Sequence, residues 1–374
     1  LCIYLTISYI IVKFIHSKRN KIDAVFITLF GVILFIPMMK ISDKEKSDKE
    51  NRMLAKYQPL FSNGKLNEKY GSQFDSWFND RFNGRDLFVE ANQFFLSLFS
   101  LSFNRKVLIG KDGWLFYKLD NSINNYTNRF DLNESDLKKG LKFLQSLDDW
   151  CKKNKKEFYY IIAPDKNKIY GEYYVGVNKI RPDNYGIGNQ FANYIKKNSN
   201  IKVLYLYDEL ITHKKETLLY YKHDTHWNDF GAFLGYKSLM KLMRLKEKSF
   251  NFTKIKGYKG DLYHMLNGNI KYDNSVYNKL KTESFCKTPN NDIYTVECKN
   301  KNGYNKRLFI LRDSFSTALL PFLGNTFKKI KTYHYNHHKI STNDLNFIKN
   351  NFDIVILENV ERYIPLILTL NFPQ

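Results

Sequence analysis

The sequence predicts an α/β domain, a mostly parallel sheet with helices on both faces, preceded by an N-terminal membrane anchor. Three observations predict it. Four short apolar runs, Phe158–Ala163, Val203–Tyr207, Leu308–Leu311 and Ile354–Leu357, have the length of strands buried on both faces. Patterns of helical period lie between and around them, at Leu137–Lys153, Phe191–Lys197, Asp229–Lys246, Thr317–Leu323 and Asn343–Asn350. The chain is 374 residues long and 43% hydrophobic, enough for a sizeable core, which excludes a disordered polymer.

From the N-terminus, two apolar runs come first, Leu1–Ile15 and Ala24–Met39, split by a basic loop with Lys18, Arg19 and Lys21. Each is slightly shorter than the roughly 20 residues of a bilayer span. Because the chain begins at Leu, the first run is read as the cut end of a longer segment. A secretory signal peptide competes with this reading, but no small-x-small cleavage site follows Met39, which favours a retained anchor over residues 1–40. Residues 41–105 then comprise a charged tether and an amphipathic helical region. Phe74, Trp77, Phe78 and Phe82 form its packing stripe, and Asp80, Arg81, Arg85 and Asp86 are placed to make salt links around it. Residues 106–374 are expected to form the α/β domain itself. Inside it, 252–301 breaks the alternation of strands and helices and reads as an insertion or lid, with Gly257, Gly260, Gly268 and a turn at Pro289–Asp292.

Charge and cysteine content narrow the class. The 59 Lys+Arg exceed the 37 Asp+Glu, a formal charge of +22, but Lys, Asn, Ile, Tyr and Phe rise together, as an AT-rich genome dictates. The lysines are spread and no RNA-binding or helix-turn-helix signature is present, so nucleic acid is not the expected partner. An acidic polysaccharide or a membrane surface suits the charge better. Four cysteines without a Cys-x-x-Cys pair argue against a disulfide scaffold and a structural zinc. Cys286 and Cys298 flank a turn, and an oxidising compartment would permit a disulfide there, although spacing does not fix the Cβ geometry.

In a parallel α/β sheet, ligands bind beyond the carboxyl ends of the strands, and two such places carry reactive groups. In the first, the strand Leu308–Leu311 runs into Arg312-Asp313-Ser314-Phe315-Ser316 and then a helix. A serine on that turn exposes its hydroxyl, and its amide and the helix N-terminus face a developing oxyanion. Capping of the helix by Ser314 or Ser316 is the plain alternative. The second is Asp224-Thr225-His226-Trp227-Asn228. One intervening residue puts Asp224 and His226 on one face of an extended chain, so Asp224 can orient the ring and leave its other nitrogen to accept a proton. The following helix, capped by Asn228 or Asp229, is expected to disfavour the imidazolium. A structural Asp–His pair, or a metal pair with His223, is the alternative. His334, His337 and His338 lack a nearby acid or cysteine cluster, and no metal or cofactor is expected. Trp114 and Tyr117 suit either sugar stacking or a core, and Asp165 and Lys166, at the end of a strand, suit either the site's border or a turn.

These motifs resemble the AlgX/AlgJ-like family of SGNH-hydrolase-like polysaccharide O-acetyltransferases and the related DHHW proteins. The resemblance rests on Glu50-Asn51-Arg52 with Asp80-Arg81-Phe82, Gly110–Phe116, Pro164-Asp165-Lys166, Asp224–Asn228 and Arg312–Phe315, with Gly260-Asp261-Leu262 as a weaker sixth. It implies an SGNH-like fold and an extracytoplasmic enzyme that acetylates an exported polysaccharide, alginate-like or another cell-surface glycan. It implies Ser314 as nucleophile, His226 as general base and Asp224 as orienting residue. The Ser314 amide is the named oxyanion donor, and Arg312, Asp165, Lys166 and Trp114 are candidate substrate-binding residues. It also implies an acetyl donor and a multi-spanning membrane O-acyltransferase as partners, in a membrane-anchored form without a carbohydrate-binding module. The block that completes the oxyanion hole of ordinary SGNH hydrolases is not identifiable. A serine esterase acting on acetylated glycan, and a non-catalytic member of an export complex, are the other function classes.

Overall fold

The computed structural model describes residues 25–31, 43, 45–47, 52–62, 64–82, 106–176, 179, 182, 185–266, 270–283, 285–289, 292 and 294–373. The run Leu1–Ile15, the basic loop, most of Ala24–Met39, Glu50, Asn51, Arg85, Asp86 and Gly268 lie outside them. Among the described residues no helix is long and apolar enough to cross a membrane; residues 25–31 are helical. The chain divides into two units, Leu1–Phe99 and Ser100–Gln374.

In the first unit the aromatic stripe lies on the helix Tyr70–Arg81. Phe74 stacks on Phe78, and Trp77 meets Tyr57 edge-on at 5.1 Å. Asp80 accepts the Ala55 amide and Arg81 donates to the Ala55 carbonyl, so this pair brackets a backbone segment. The helix buries none of its residues fully, so the stripe is local packing and not a core.

The second unit contains strands β1 (Val107–Ile109), β2 (Leu115–Tyr117), β3 (Glu157–Ala163) and β4 (Lys202–Tyr205). They are followed by β5 (Asn251–Lys256), β6 (Val276–Lys281), β7 (Cys286–Lys287), β8 (Thr295–Lys299), β9 (Tyr304–Arg312), β10 (Phe327–His334) and β11 (Ile354–Val360). The main helices are α1 (Glu134–Lys153), α2 (Ile187–Asn198), α3 (Asp229–Leu242), α4 (Ser316–Thr326) and α5 (Thr342–Asn351). Seven strands form one sheet in the order β7-β8-β10-β9-β11-β3-β4. The five strands from β10 to β4 are parallel, and β7 and β8 add antiparallel at one edge.

Both faces are covered because successive strand residues point to opposite sides. Tyr159, Ile161, Leu308, Ile310, Ile354 and Ile356 belong to the core shared with α3 and α4. Phe158, Tyr160, Phe309, Leu311, Val355 and Leu357 belong to the core shared with α1, α2 and α5. Helix ends are set by their side chains: Asn133 caps α1, and Ser341 with Asp344 forms a capping box on α5. From β9 the chain crosses to β10 on one side, then returns to β11 on the other. Strand order therefore reverses at β9, and a crevice opens where its carboxyl end lies.

The segment 252–301 is not one insertion. β5 and β6 pair as a separate antiparallel hairpin, whereas β7 and β8 extend the central sheet. Cys286 and Cys298 face each other across the β7–β8 pair and are joined by a disulfide. Their sulfurs pack where α4 has Gly324, at which a side chain would clash with Cys286 Sγ.

Candidate active site

The turn after β9 is held from below. The Asp313 carboxylate accepts the Phe315 amide at 2.8 Å, the Val360 amide at 2.7 Å and the Tyr335 hydroxyl at 3.3 Å. Ser316 donates to Glu358 at 2.6 Å. Burial, reinforced by the charge of the neighbouring Asp313, pushes the Glu358 carboxyl well above its usual range. Neither Ser314 nor Ser316 caps α4, because Phe315 occupies the cap position and no side chain accepts there. Ser314 points instead to solvent and to His226. Its Oγ lies 2.7 Å from His226 Nε2.

His226 follows Asp224 in a segment outside the sheet, anchored by the bridge between Tyr220 and Trp227. Asp224 Oδ1 lies 2.6 Å from His226 Nδ1 and also accepts the His226 amide at 2.8 Å. Burial works to raise the Asp224 carboxyl, but its bonds to His226 hold it below the usual range, so it is ionised and the ring proton sits on Nδ1. Nε2 then accepts from Ser314. Asn228 caps α3 by accepting the Phe230 and Gly231 amides. The expected depression of the His226 pKa by that helix does not occur. Burial lowers it, but the bond to Asp224 and the charges of Asp224 and Asp261 outweigh burial and leave it raised. Two carboxylates close to the ring outweigh one helix terminus.

Trp227 joins the two turns. Its indole, 1% exposed, donates to the Phe315 carbonyl at 2.9 Å, and Phe315 packs against the His226 ring at 5.0 Å. The Asp-x-His motif therefore carries, one residue on, the strut that sets its distance from Ser314.

The four further site candidates lie away from the opening. Trp114 is 1% exposed and stacks on Tyr170 at 4.4 Å and Tyr173 at 4.9 Å, so it is core and not a sugar platform. Arg312 is buried, donating to Thr332 Oγ1 and to the carbonyl, not the carboxylate, of Asp313. Asp165 is buried against Arg362 and Asn125. Lys166 sends its amine under the Asp224 segment, donating to the carbonyls of Tyr221, Lys222 and Asp224. Burial pulls that amine down to about 7. Lys166 thus positions the segment, Asp165 holds Arg362, and neither lines the opening. In sequence they look like a surface turn, because the carbonyls that Lys166 satisfies lie more than 50 residues away.

A cavity of about 380 Å³ opens above Ser314 and His226. α4 contributes Thr317 and Pro321, and the β5–β6 hairpin contributes Tyr258, Lys279 and Leu280. Tyr258 stacks on Tyr221 at 3.8 Å. Of the other tyrosines of that segment, Tyr277 is buried beneath Tyr221 and Tyr272 is exposed away from the cavity lining. Lys279, the lysine in the lining, is paired with Asp229 at 3.1 Å, so the wall presents little net positive charge. Asp224, His226 and Asp261 offer ligand atoms within 4.8 Å of one another, but Asp224 and His226 spend them on their mutual hydrogen bond. His334 and His337 lie ring to ring at 5.0 Å, but His338 pairs with Asp344, so the three do not converge on one point.

A serine at the carboxyl end of a central parallel strand, in line with an imidazole and a carboxylate, is an arrangement that several unrelated α/β hydrolase folds share. Residues 107–279, just under half of the chain, match the SGNH hydrolase-like domain of the acetyltransferase AlgX. Over those residues the chain is similar to an acetyltransferase domain. The match includes Asp224 and His226 and ends before Ser314. No curated protein matches the chain in sequence. Among solved structures, a DHHW family protein from Eubacterium siraeum superposes with a TM-score of 0.50 at 15% identity, covering 72% of this chain and 99% of that one. Bacillus cereus PatB1, solved with a sulfonyl adduct, superposes with a TM-score of 0.50 at 18% identity, covering 69% and 95%. These two likenesses concern the fold.

Proposed function

We propose that this protein transfers acetyl groups to hydroxyls of an exported polysaccharide through an acyl-Ser314 intermediate. The observation that carries the reading is the continuous relay from Ser314 Oγ to His226 and Asp224, at 2.7 and 2.6 Å, at the floor of an open cavity. His226 Nε2 takes the hydroxyl proton as Ser314 Oγ attacks the donor's acetyl carbonyl. The oxyanion forms beside the Ser314 amide and the amino end of α4, whose dipole favours negative charge. The protonated ring then gives its proton to the departing group. An acceptor hydroxyl enters, loses its proton to His226 and attacks the acyl carbon; the ring returns that proton to Ser314 Oγ as the C–Oγ bond breaks and the acetylated sugar leaves.

The cavity wall supports a sugar acceptor: the stacked pair Tyr258 and Tyr221 offers an aromatic face, and the hairpin limits the approach of water. Because Lys279 is neutralised, the lining gives no preference for an acidic polymer, so an alginate-like acceptor rests on the resemblance alone. The Cys286–Cys298 disulfide favours an oxidising, extracytoplasmic compartment. A membrane anchor in residues 1–40 and a multi-spanning acyltransferase that supplies acetyl groups complete the proposal. The second reading, a serine esterase, uses the same relay with water as the acceptor. The deciding assay offers a chromogenic acetyl ester with and without candidate glycans. Acetyl on the glycan, absent with Ser314→Ala, supports transfer; hydrolysis indifferent to every glycan, with deacetylation of an acetylated polymer, supports the esterase.

A further inference from the structure

Asp261 lies in the β5–β6 hairpin, 37 residues after Asp224, yet it encloses the Asp224–His226 pair. Its amide donates to Asp224 Oδ2 at 3.0 Å, the oxygen that His226 does not use. Its carboxylate accepts the Thr225 amide at 2.8 Å and the Thr225 hydroxyl at 2.5 Å. That hydroxyl lies 3.1 Å from His226 Nδ1, and Asp261 Oδ2 itself lies 3.8 Å from Nδ1. The approach is so close that a Cβ on Gly260 would stand 2.3 Å from the Asp224 side chain, which only glycine permits. Asp224 Oδ2 and both the amide and the hydroxyl of Thr225 are thus held by Asp261.

We propose that Asp261 is a positioning residue for the acyl-transfer reaction, clamping Asp224 through its amide and Thr225 through its carboxylate so that the His226 ring stays aligned on Ser314. The inference rests on the proposed Ser314–His226–Asp224 chemistry. Its second effect is electrostatic. The charged groups facing His226 are Asp224 on its own segment, Asp261 from the hairpin, Arg362 from the end of β11 and the buried Asp313 below Ser314. Asp224 and Asp261 raise the basicity of the ring and Arg362 lowers it, so removing the Asp261 charge leaves a weaker base.

The experiment is the pH dependence of acetyl-ester turnover for wild type, Asp261→Asn, Asp261→Glu and Thr225→Val. Asp261→Asn is expected to lower kcat about 10- to 100-fold, the range found when the outer partner of a metal-bound histidine is removed. It is also expected to move the acid limb of kcat/KM to lower pH, with Asp261→Glu restoring part of both. An acid limb that stays in place in Asp261→Asn overturns the proposal, as does wild-type kcat in that variant. Should Asp261→Asn not fold, Thr225→Val carries the test, with an expected fall in kcat at unchanged KM; unchanged kcat overturns the clamp. The histidine ring-nitrogen NMR titration of Ser314→Ala against Ser314→Ala/Thr225→Val reads the same alignment without turnover, and identical spectra count against it. Ser314→Ala alone separates the two layers: full turnover in it removes the proposed chemistry, whereas a dead Ser314→Ala beside an unaltered Asp261→Asn removes only the clamp.

Discussion

Ser314 and His226 stand 2.7 Å apart, yet the two turns that carry them are built in different ways. The Ser314 turn is the direct continuation of a central strand, and its supports come from the strand beside it: Val360 and Glu358 of β11 hold Asp313 and Ser316. The His226 turn belongs to no strand. It hangs on three distant groups, Lys166 beneath it, Asp261 above it and the Trp227 indole across to Phe315. A turn held by its own sheet tolerates loss of one support, because the register of the strands still places it. A turn held by side chains from elsewhere depends on each of them. The contrast predicts that chemistry is lost by substitution in either turn, while stability and alignment are lost mainly around His226.

The largest effect expected is on turnover. Ser314→Ala should remove acetyl transfer and ester hydrolysis, a loss of order 10⁶ in a relay of this kind, with an unchanged melting temperature. A lowered melting temperature would show that the serine also supports its turn. Asp224→Asn should cost about 10⁴-fold in kcat, since an amide favours the wrong ring tautomer; steady-state kinetics with the acetyl ester check it. In the wild type, His226 must be neutral to act as a base and its pKa is raised, so kcat/KM should fall on acidification with a limb above pH 6.5. A limb below 6.5 would mean that burial outweighs the two carboxylates.

Lys166→Met sharpens the comparison at the intermediate level. Three buried carbonyls lose their donor, each at a cost of about 1–3 kcal/mol if left unpaired. The amine is held down to about 7, below its unfolded value of 10.5, so the unfolded chain binds more protons between those limits. The stability advantage of wild type over Lys166→Met should therefore grow as pH rises from 7 toward 10, read by denaturant unfolding. A constant difference would mean that the amine titrates normally. The smallest effect on turnover is expected at the sheet edge. Cys286→Ser with Cys298→Ser opens a loop with a sequence separation of 12 and should cost about 3 kcal/mol of stability with little change in kcat.

Much of this was legible in the sequence, for identifiable reasons. The strands at Phe158, Leu308 and Ile354 are apolar on both faces, and only a parallel sheet covered on both sides accommodates such runs. α3 and α5 carry their caps in the local chain, Asn228 and Ser341. Ser314, His226 and Asp224 could be singled out because each follows or begins an element of clear pattern. What was not legible depends on contacts at long range. Trp114 reads equally as a sugar platform or as core until Tyr170 is found stacked on it. Lys166 reads as a surface residue because lysine rarely pays the desolvation cost of burial. β7 and β8 read as part of a lid because their half-exposed edge pattern lacks the apolar continuity of the centre. The raised basicity of His226 comes first from Asp224, legible beside it, and then from Asp261, whose carboxylate approaches only through the fold.

The gap at Gly260 has a consequence for attempts to exchange acceptor preference. The hairpin that supplies Tyr258, Lys279 and Leu280 to the cavity wall also brings the backbone to within one missing methyl group of Asp224. A chimera that grafts a relative's hairpin for its wall must also inherit a residue without a side chain at this one position. Without it, a side chain there would meet the Asp224 carboxylate and something must shift. On the proposed chemistry, wall and relay are therefore coupled through this position, and a swapped hairpin has to be screened for turnover on a simple ester before it is judged on any glycan.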